Sequence, residues 1–339
     1  MVRRPLRLLS YLLSLAVLGV VLWRLHLPEM GSKVVGMNWP LLVLAAGAGV
    51  AAVCLQAFRW HYLLQPPRLR YRLVLQATYL GSLVNALLPL RSGEVVRGVV
   101  VANRTGRPFG SVLATEVIER LSDALAMLVL VSIAVHDLPL PPGLRAARIA
   151  LEVVVALIVG SAAVLALREQ WLRRRLVSWR PRGRVGSQVR RVSLDLSSGI
   201  HLLRDGKVLV VTGLSALGMV ALQVTMLYLA LHAYHLDLRF GQAAAVVAVI
   251  SIGTALPSMP SNVGSWQLSC VLGLSLFAVP AATAAGFSVV AFAVLSLVQL
   301  CGGVIALATS PFNLSQLRHG HRGEAALSSA LERAAEAEA

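Results

Sequence analysis

Long apolar segments recur along this chain and limit the folds that it can adopt. A helix of about 20 mostly apolar residues is long enough to cross the hydrocarbon core of a bilayer. About six segments approach this length: Leu6–Leu25, Trp39–Trp60, Gly110–Val135, Ala147–Leu167, Val208–His232 and Thr283–Thr309. Only 14% of the residues are charged, well below the roughly 25% typical of soluble domains. The sequence therefore predicts an all-α polytopic membrane protein with about six full transmembrane helices.

The basic residues between these segments predict how the chain is oriented. The chain has 31 Lys and Arg against 15 Asp and Glu, a net charge of +16, and basic loops favour the cytoplasmic side of a membrane. Arg3, Arg4 and Arg7 lie at the start of the first segment. We interpret this segment as an uncleaved first span because no small-x-small cleavage site follows it. We expect a multi-pass protein of the cell inner membrane with both termini in the cytoplasm. On this topology the end of the second span delivers Arg59, Arg68, Arg70 and Arg72 to the cytoplasm.

Other uses of the charges and cysteines have little support in the sequence. No nucleic-acid-binding motif accompanies the positive charge, so we expect no nucleic-acid partner. Cys54, Cys270 and Cys301 all lie inside apolar segments, without the spacing of metal ligands. We therefore expect them to be buried apolar side chains, and we expect no metal and no cofactor.

Residues 168–207 form a connector dense in arginine between two predicted spans. Apolar residues recur in it at helical spacing from Val185 to Ile200. One interpretation is a helix lying on an anionic lipid surface, and the other is a solvated linker whose charges only set the topology. Residues 1–309 would make up the membrane domain, and the polar residues 310–339 a disordered cytoplasmic tail.

The segment Leu73–Ala102 is apolar but interrupted at Pro89 and Gly93. A full crossing here would place Arg91 and Arg97 outside, against the positive-inside bias. We favour a re-entrant hairpin that enters from the cytoplasm, turns at depth and leaves on the same side. Non-helical backbone at that depth needs a protein or water-filled environment to satisfy its polar groups.

A second interrupted segment lies near the end of the chain. Two short apolar stretches, Gln242–Leu256 and Trp266–Val279, flank a break that contains Pro257, Pro260 and Gly264. Both breaks share the spacing P-x-x-x-G, and the blocks 39–135 and 208–309 share the plan of span, broken hairpin and span. Because the blocks begin on opposite sides of the membrane, we expect two re-entrant hairpins related as an inverted repeat.

Charged residues are concentrated between Leu83 and Asp123. Glu116, Glu119, Arg120 and Asp123 follow helical spacing and share one stripe of the Gly110–Val135 helix. A charge at membrane depth costs about 2.5–3.5 kcal/mol on insertion scales, and such residues normally face an interior or a wet cavity. The stripe has three acids and one base, so it needs further cations. The network either docks the hairpin to the helix as a purely structural device, or it forms a functional site.

On the functional interpretation the charges contact a lipid headgroup. Arg91 and Arg97 could bind a lipid phosphate, and the acids could orient these arginines, contact a cationic headgroup or carry protons. Two neutral amides would contribute from the second hairpin. The candidate substrate-binding residues are Asn85, Arg91, Glu94, Arg97, Glu116, Glu119, Arg120, Asp123, Asn262 and Gln267. The candidate hairpin breaks are Pro89, Gly93, Pro257, Pro260 and Gly264.

Three motifs resemble those of the lysylphosphatidylglycerol synthase transmembrane, or flippase-like, family. They are N-x-x-x-P-x-R-x-G-E-x-x-R at Asn85–Arg97, E-x-x-E-R-x-x-D at Glu116–Asp123, and P-x-x-P-x-x-x-G at Pro257–Gly264. In the second break this chain departs from the family pattern P-G-G-x-G followed by Glu. Ser261 and Asn262 replace glycines and Gln267 stands in place of the acid, which weakens a charge-based role for that hairpin.

The resemblance implies a lipid-transport activity. Bifunctional members carry a cytoplasmic aminoacyl-transferase domain, which we do not expect in the short segment after the last span. The leading hypothesis is a flippase that moves a charged phospholipid or glycolipid headgroup through a polar crevice between the hairpins. On this interpretation the protein is not an enzyme. Because the sequence has no nucleotide-binding P-loop, the energy for lipid movement would come from a gradient or from mass action.

Two alternatives to the flippase remain open. One is a membrane-embedded enzyme acting on lipid or polyprenyl phosphates, and the other is a non-catalytic membrane partner that regulates envelope lipid enzymes. In the leading hypothesis the expected partners are membrane lipids with charged headgroups. The sequence leaves the lipid, the direction of transport, the coupling ion and the oligomeric state open, a homo-oligomer included.

Overall fold

A computed structural model describes residues 36–64, 69–87, 92–134, 205–255 and 262–309, with isolated positions between 149 and 161. Several predictions fall outside these residues: the span Leu6–Leu25, most of Ala147–Leu167, nearly all of the basic connector, and the tail. Four candidate residues also lie outside them, namely Pro89, Arg91, Pro257 and Pro260.

The described residues form α-helices and no strand, which confirms an all-helical fold for this part of the chain. The helices are α1 (Trp39–Leu63), α2 (Tyr71–Leu87), α3 (Ser92–Thr105), α4 (Phe109–Ala134), α5 (Gly206–Ala233), α6 (Phe240–Ala255), α7 (Ser265–Ser275) and α8 (Ala281–Thr309). Among them, α1, α5 and α8 are long and apolar enough to cross a membrane. With 26 residues α4 has similar length, but it carries the charged stripe.

Two of the long helices begin at side-chain caps. Asn38 accepts a hydrogen bond from the Leu41 amide with its side chain, and Pro40 occupies the first turn of α1. Asp205 accepts one from the Lys207 amide at the start of α5. Such caps satisfy backbone donors that have no partner inside the helix.

Helices α2 and α3 form an antiparallel hairpin. Gly81 of α2 faces Arg97 of α3, and Asn85 faces Gly93, so the chain reverses between them. A Cβ atom on Gly93 would collide with the Gly81 carbonyl oxygen, and this close approach explains the glycine at that position. In the second hairpin, Gly253 of α6 packs against Ser269 of α7.

The tip of the first hairpin lies level with the middle of α4. Helix α3 has 14 residues, a length of about 21 Å at 1.5 Å per residue, whereas α4 is about 39 Å long. Glu94, in the first turn of α3, pairs with Arg120, which lies near the midpoint of α4. The hairpin therefore reaches only about halfway along its neighbour.

Helices α1 and α5 pack against each other in opposite directions. The Asn38 amide, at the start of α1, donates a hydrogen bond to the Ala233 carbonyl, at the end of α5. Further along, Gly49 contacts Met226 and Gly218 contacts Leu55. The two glycines are separated by 169 positions, the same shift that relates the first residues predicted for the two blocks.

The helix contacts have the pattern of two equivalent halves. If α1 is exchanged with α5, α2 with α6, α3 with α7 and α4 with α8, each pair of packed helices maps onto a packed pair, and the α1–α5 pair maps onto itself. For example, α2 packs on α8 and α6 packs on α4. The equivalent helices α1 and α5 are antiparallel. The pseudo-twofold axis that exchanges the two halves is therefore perpendicular to these helices. The open end of the first hairpin, opposite its turn, lies near the end of α1. The open end of the second hairpin lies near the start of α1.

Candidate functional site

Seven charged side chains meet where α1, α3 and α4 pack together. We call them the charged cluster: Arg59, Glu94, Arg97, Glu116, Glu119, Arg120 and Asp123. Six of them come from the candidate residues predicted from the sequence, and the seventh, Arg59, does not. The helical spacing of the α4 residues places its acids and Arg120 on the side facing α1 and α3.

Arg97 joins α3 to α4 at the buried part of the cluster. Its Nε lies 3.1 Å from Glu116 Oε1, and its Nη2 lies 3.0 Å from Glu119 Oε2. Its guanidinium carbon lies 4.6 Å from the centroid of the Trp60 ring, within the range of a cation–π contact. We expected Arg97 to bind a lipid phosphate, but in this arrangement the two glutamates occupy its guanidinium group.

Arg59 is the cation that the sequence analysis missed. We expected it near the cytoplasmic end of its span, and the structure shows its side chain fully buried against α4, with 0% exposed. Its Nη1 lies 2.6 Å from Asp123 Oδ1, and its Nη2 lies 3.5 Å from Glu119 Oε1. Gln56, three residues earlier on α1, donates to Glu119 Oε1 at 2.8 Å. The spacing of Gln56 and Arg59 on one face of an apolar helix was a signal that could have revealed this role.

Arg120 and Glu94 form the most exposed part of the charged cluster. Arg120 Nη2 lies 2.6 Å from Glu94 Oε1, and these side chains are 44% and 26% exposed. Asp123, at 17% exposed, lies between this open pair and buried Arg59. Exposure therefore falls steadily from Arg120 to Arg59.

The charges of the cluster do not sum to zero among the described residues. Four carboxylates face three arginines when all are ionised, which leaves one net negative charge. In addition, Nε of Arg59 has no hydrogen-bond acceptor within the described part of the chain. Uncompensated charge in a buried site is costly, so this cluster is suited to bind a further polar or cationic group.

The amide candidates lie at the hairpin tips. The Asn85 side chain accepts a hydrogen bond from the Gly93 amide at 2.8 Å, and Gln267 accepts one from the Gly264 amide at 2.7 Å. Asn262 adopts a left-handed conformation with φ of 56°. In both hairpins a side-chain amide thus satisfies a glycine N–H at the start of the second helix. The ion pairs of the charged cluster join α1, α3 and α4, and do not involve these amides.

The second half has no counterpart of the charges at the equivalent positions. A shift of 172 positions, which relates Gly81 to Gly253, places Trp266 at the position of Glu94 and Phe292 at that of Arg120. Trp266 and Phe292 are in contact, with ring centroids 5.5 Å apart. An ion pair in the first half is thus matched by an aromatic pair in the second.

The comparisons with known proteins identify a family. Residues 7–303 match the family described as "Lysylphosphatidylglycerol synthase TM region", which confirms the resemblance found in the three motifs. No curated protein and no solved structure matches the chain.

Proposed function

This chain belongs to the family of the lysylphosphatidylglycerol synthase TM region, and from that premise we propose that it is a lipid flippase. The membership indicates a membrane protein that acts on lipids. The proposed activity is the movement of a charged phospholipid or glycolipid headgroup across the bilayer while the acyl chains stay in the hydrocarbon.

The graded exposure of the charged cluster carries this proposal. Exposed ion pairs contribute only about 0–1 kcal/mol, so the Arg120–Glu94 pair can exchange partners at low cost. An ammonium group of a headgroup would bind Glu94, and its phosphate would accept hydrogen bonds from Arg120. Removing one partner of a buried pair costs about 3–5 kcal/mol. The pairs of Arg59 and Arg97 would therefore keep the inner network in place while the outer pair exchanges.

The hairpin geometry supports a membrane arrangement with re-entrant segments. Helices α2 and α3 are about 25 and 21 Å long, shorter than the roughly 30 Å hydrocarbon core. The hairpin tip lies level with the middle of α4, next to the charged cluster, and the second hairpin opens at the opposite end of the bundle. Broken helices that meet near the bilayer midplane in inverted repeats are typical of transporter substrate sites. In this protein the first hairpin would contribute the residues that bind the charged headgroup.

A reconstitution experiment tests the proposal. Purified protein would be placed in liposomes that contain fluorescent lipids with anionic or cationic headgroups, and lipid movement would be followed by dithionite quenching. We expect Glu94→Gln and Arg120→Gln to slow movement by about tenfold, which corresponds to about 1.4 kcal/mol. Arg239→Gln, at an exposed position outside the cluster, serves as the matched control and should leave the rate unchanged.

The same liposomes separate the alternatives. Mass spectrometry of the recovered lipids would reveal a chemically altered product if the protein were an embedded enzyme. Lipid movement that is unaffected by both substitutions, in protein that remains folded, would contradict a transport role for the charged cluster.

A further inference from the structure

A groove lies on the surface of the described helices and shares no lining residue with the charged cluster. It lies between α2 and α8, is also lined by Val50 of α1, and has a cavity volume of about 620 Å³. Its walls are mostly apolar, and Arg72, Tyr79, Cys301 and Ile305 are among its lining residues. We call it the α2–α8 groove.

The groove arises because α8 has glycines where it faces α2. Gly302 lies against the ring of Tyr79, and Gly303 lies against Leu83, so α8 presents no side chain there. The same shift of 172 positions relates Gly302 to Leu130 on α4. Leu130 packs into the core together with residues of α6. A leucine side chain thus stands at the position equivalent to Gly302.

The dimensions of the groove match one leaflet. Its lining on α8 runs from Leu297 to Thr309, about 18 Å at 1.5 Å per residue. Half of a hydrocarbon core of about 30 Å is close to this length. Thr309 accepts a hydrogen bond from Gln76 at 3.0 Å, so these two polar groups satisfy each other at the end of the groove.

Arg72 gives that end of the groove a positive charge. It is exposed in the first turn of α2, at the end of the bundle where α1 finishes. No acidic side chain lies within ion-pair distance of it among the described residues. A guanidinium group without an acidic partner suits a phosphate oxygen.

We propose that the α2–α8 groove binds one anionic phospholipid of the adjacent leaflet, with an acyl chain along Tyr79, Cys301 and Ile305 and its phosphate at Arg72. The site shares no residue with the charged cluster. It therefore stands independently of the flippase activity.

Photocrosslinking in nanodiscs tests this site. The protein would be assembled with phosphatidylglycerol that carries a diazirine on its acyl chain, irradiated and mapped by peptide mass spectrometry. Crosslinks should concentrate on the α8 peptide that contains Cys301 and on the start of α2. Ile305→Trp, which fills the groove, should reduce them, whereas Val304→Trp, at an exposed neighbouring position outside the lining, should not.

The charge is tested separately from the groove. Arg72→Gln should weaken the preference for phosphatidylglycerol over phosphatidylcholine by about fivefold, as expected for one basic residue near an anionic surface. Arg70→Gln is the control, because this neighbouring exposed arginine does not line the groove.

Two results would overturn the proposal. One is equal crosslinking at exposed apolar residues elsewhere, such as Val43 and Leu44 of α1, which indicates ordinary annular lipid only. The other is equal crosslinking in the Ile305→Trp and Val304→Trp proteins. Alkylation of Cys301 gives a second readout. The expectation that this cysteine is buried is wrong, because the structure shows it exposed, and it should react more slowly when phosphatidylglycerol is present.

Discussion

Arg59 shows how a single buried cation can hold a charged site together. Its guanidinium group lies against Asp123 and Glu119, two acids one turn apart on α4. Glu119 also receives hydrogen bonds from Arg97 and Gln56, so it connects α1, α3 and α4 through one carboxylate. Such buried networks contribute little net stability compared with an apolar replacement, but they are costly to break at one member.

At this scale we predict a large effect of Arg59→Met. It should lower the free energy of unfolding by about 3–5 kcal/mol, because Asp123 and Glu119 lose a buried counter-charge. Thermal unfolding in detergent micelles, followed by circular dichroism, would measure the loss. Adding Asp123→Asn should recover part of it. Arg239→Met, at an exposed position, should change stability by no more than about 0.5 kcal/mol, and an equal loss in both single variants would contradict the assigned role.

At the level of the element, the first hairpin depends on close backbone packing. Gly93 lies against the Gly81 carbonyl, and its own N–H is taken up by Asn85. The charged residues Glu94 and Arg97 follow on the same helix within one turn. The packing of α2 on α3 therefore positions the side chains that reach α4.

We predict that Gly93→Ala separates the two arms of this hairpin. The added methyl group should cost about 1–3 kcal/mol of stability, as overpacking usually does, and should slow lipid movement because Glu94 shifts. Gly47→Ala is the matched control, since a Cβ atom there meets nothing within 4 Å. It should not destabilise the protein, because alanine is more favourable than glycine in a helix by about 1 kcal/mol. Unfolding and dithionite assays on both proteins test this prediction. A Gly93→Ala protein with unchanged stability and unchanged lipid movement would refute the packing argument.

At the scale of the molecule, the two halves formed by the described helices run in opposite directions. The antiparallel packing of α1 and α5, together with the exchange of helix pairs between the halves, is what an inverted repeat requires. The side chains of the two halves differ, however. The first carries the charges, and the second has Trp266 and Phe292 in place of an ion pair.

We predict opposite accessibility for the two ends of the bundle. Arg70→Cys and Asn103→Cys should react with a membrane-impermeant maleimide from one side of the membrane, and Asp237→Cys from the other, since the first two lie where α1 ends. All three positions are exposed. Mass-shift labelling of intact and permeabilised vesicles measures this, with Cys301 replaced by Ala in every protein. Labelling of all three from the same side would exclude the inverted arrangement.

The helices themselves could be predicted from the chain because apolar length and breaks are local properties. The predicted segment Val208–His232 differs from α5 by two residues at its start and one at its end, and the stripe on α4 follows directly from helical spacing. The charge surplus on that stripe also indicated that other cations must be nearby, and Arg97 is one of them.

The partners of those charges were decided only by the tertiary structure. A helix turns by about 100° per residue, so a small rotation of α1 decides whether Arg59 faces water or the α4 acids. Gln267 and Asn85 looked like substrate ligands, yet both satisfy backbone N–H groups at the hairpin tips. Local pattern determines which residues are helical and which are charged, whereas the relative rotation and approach of packed helices determine which of those charges meet.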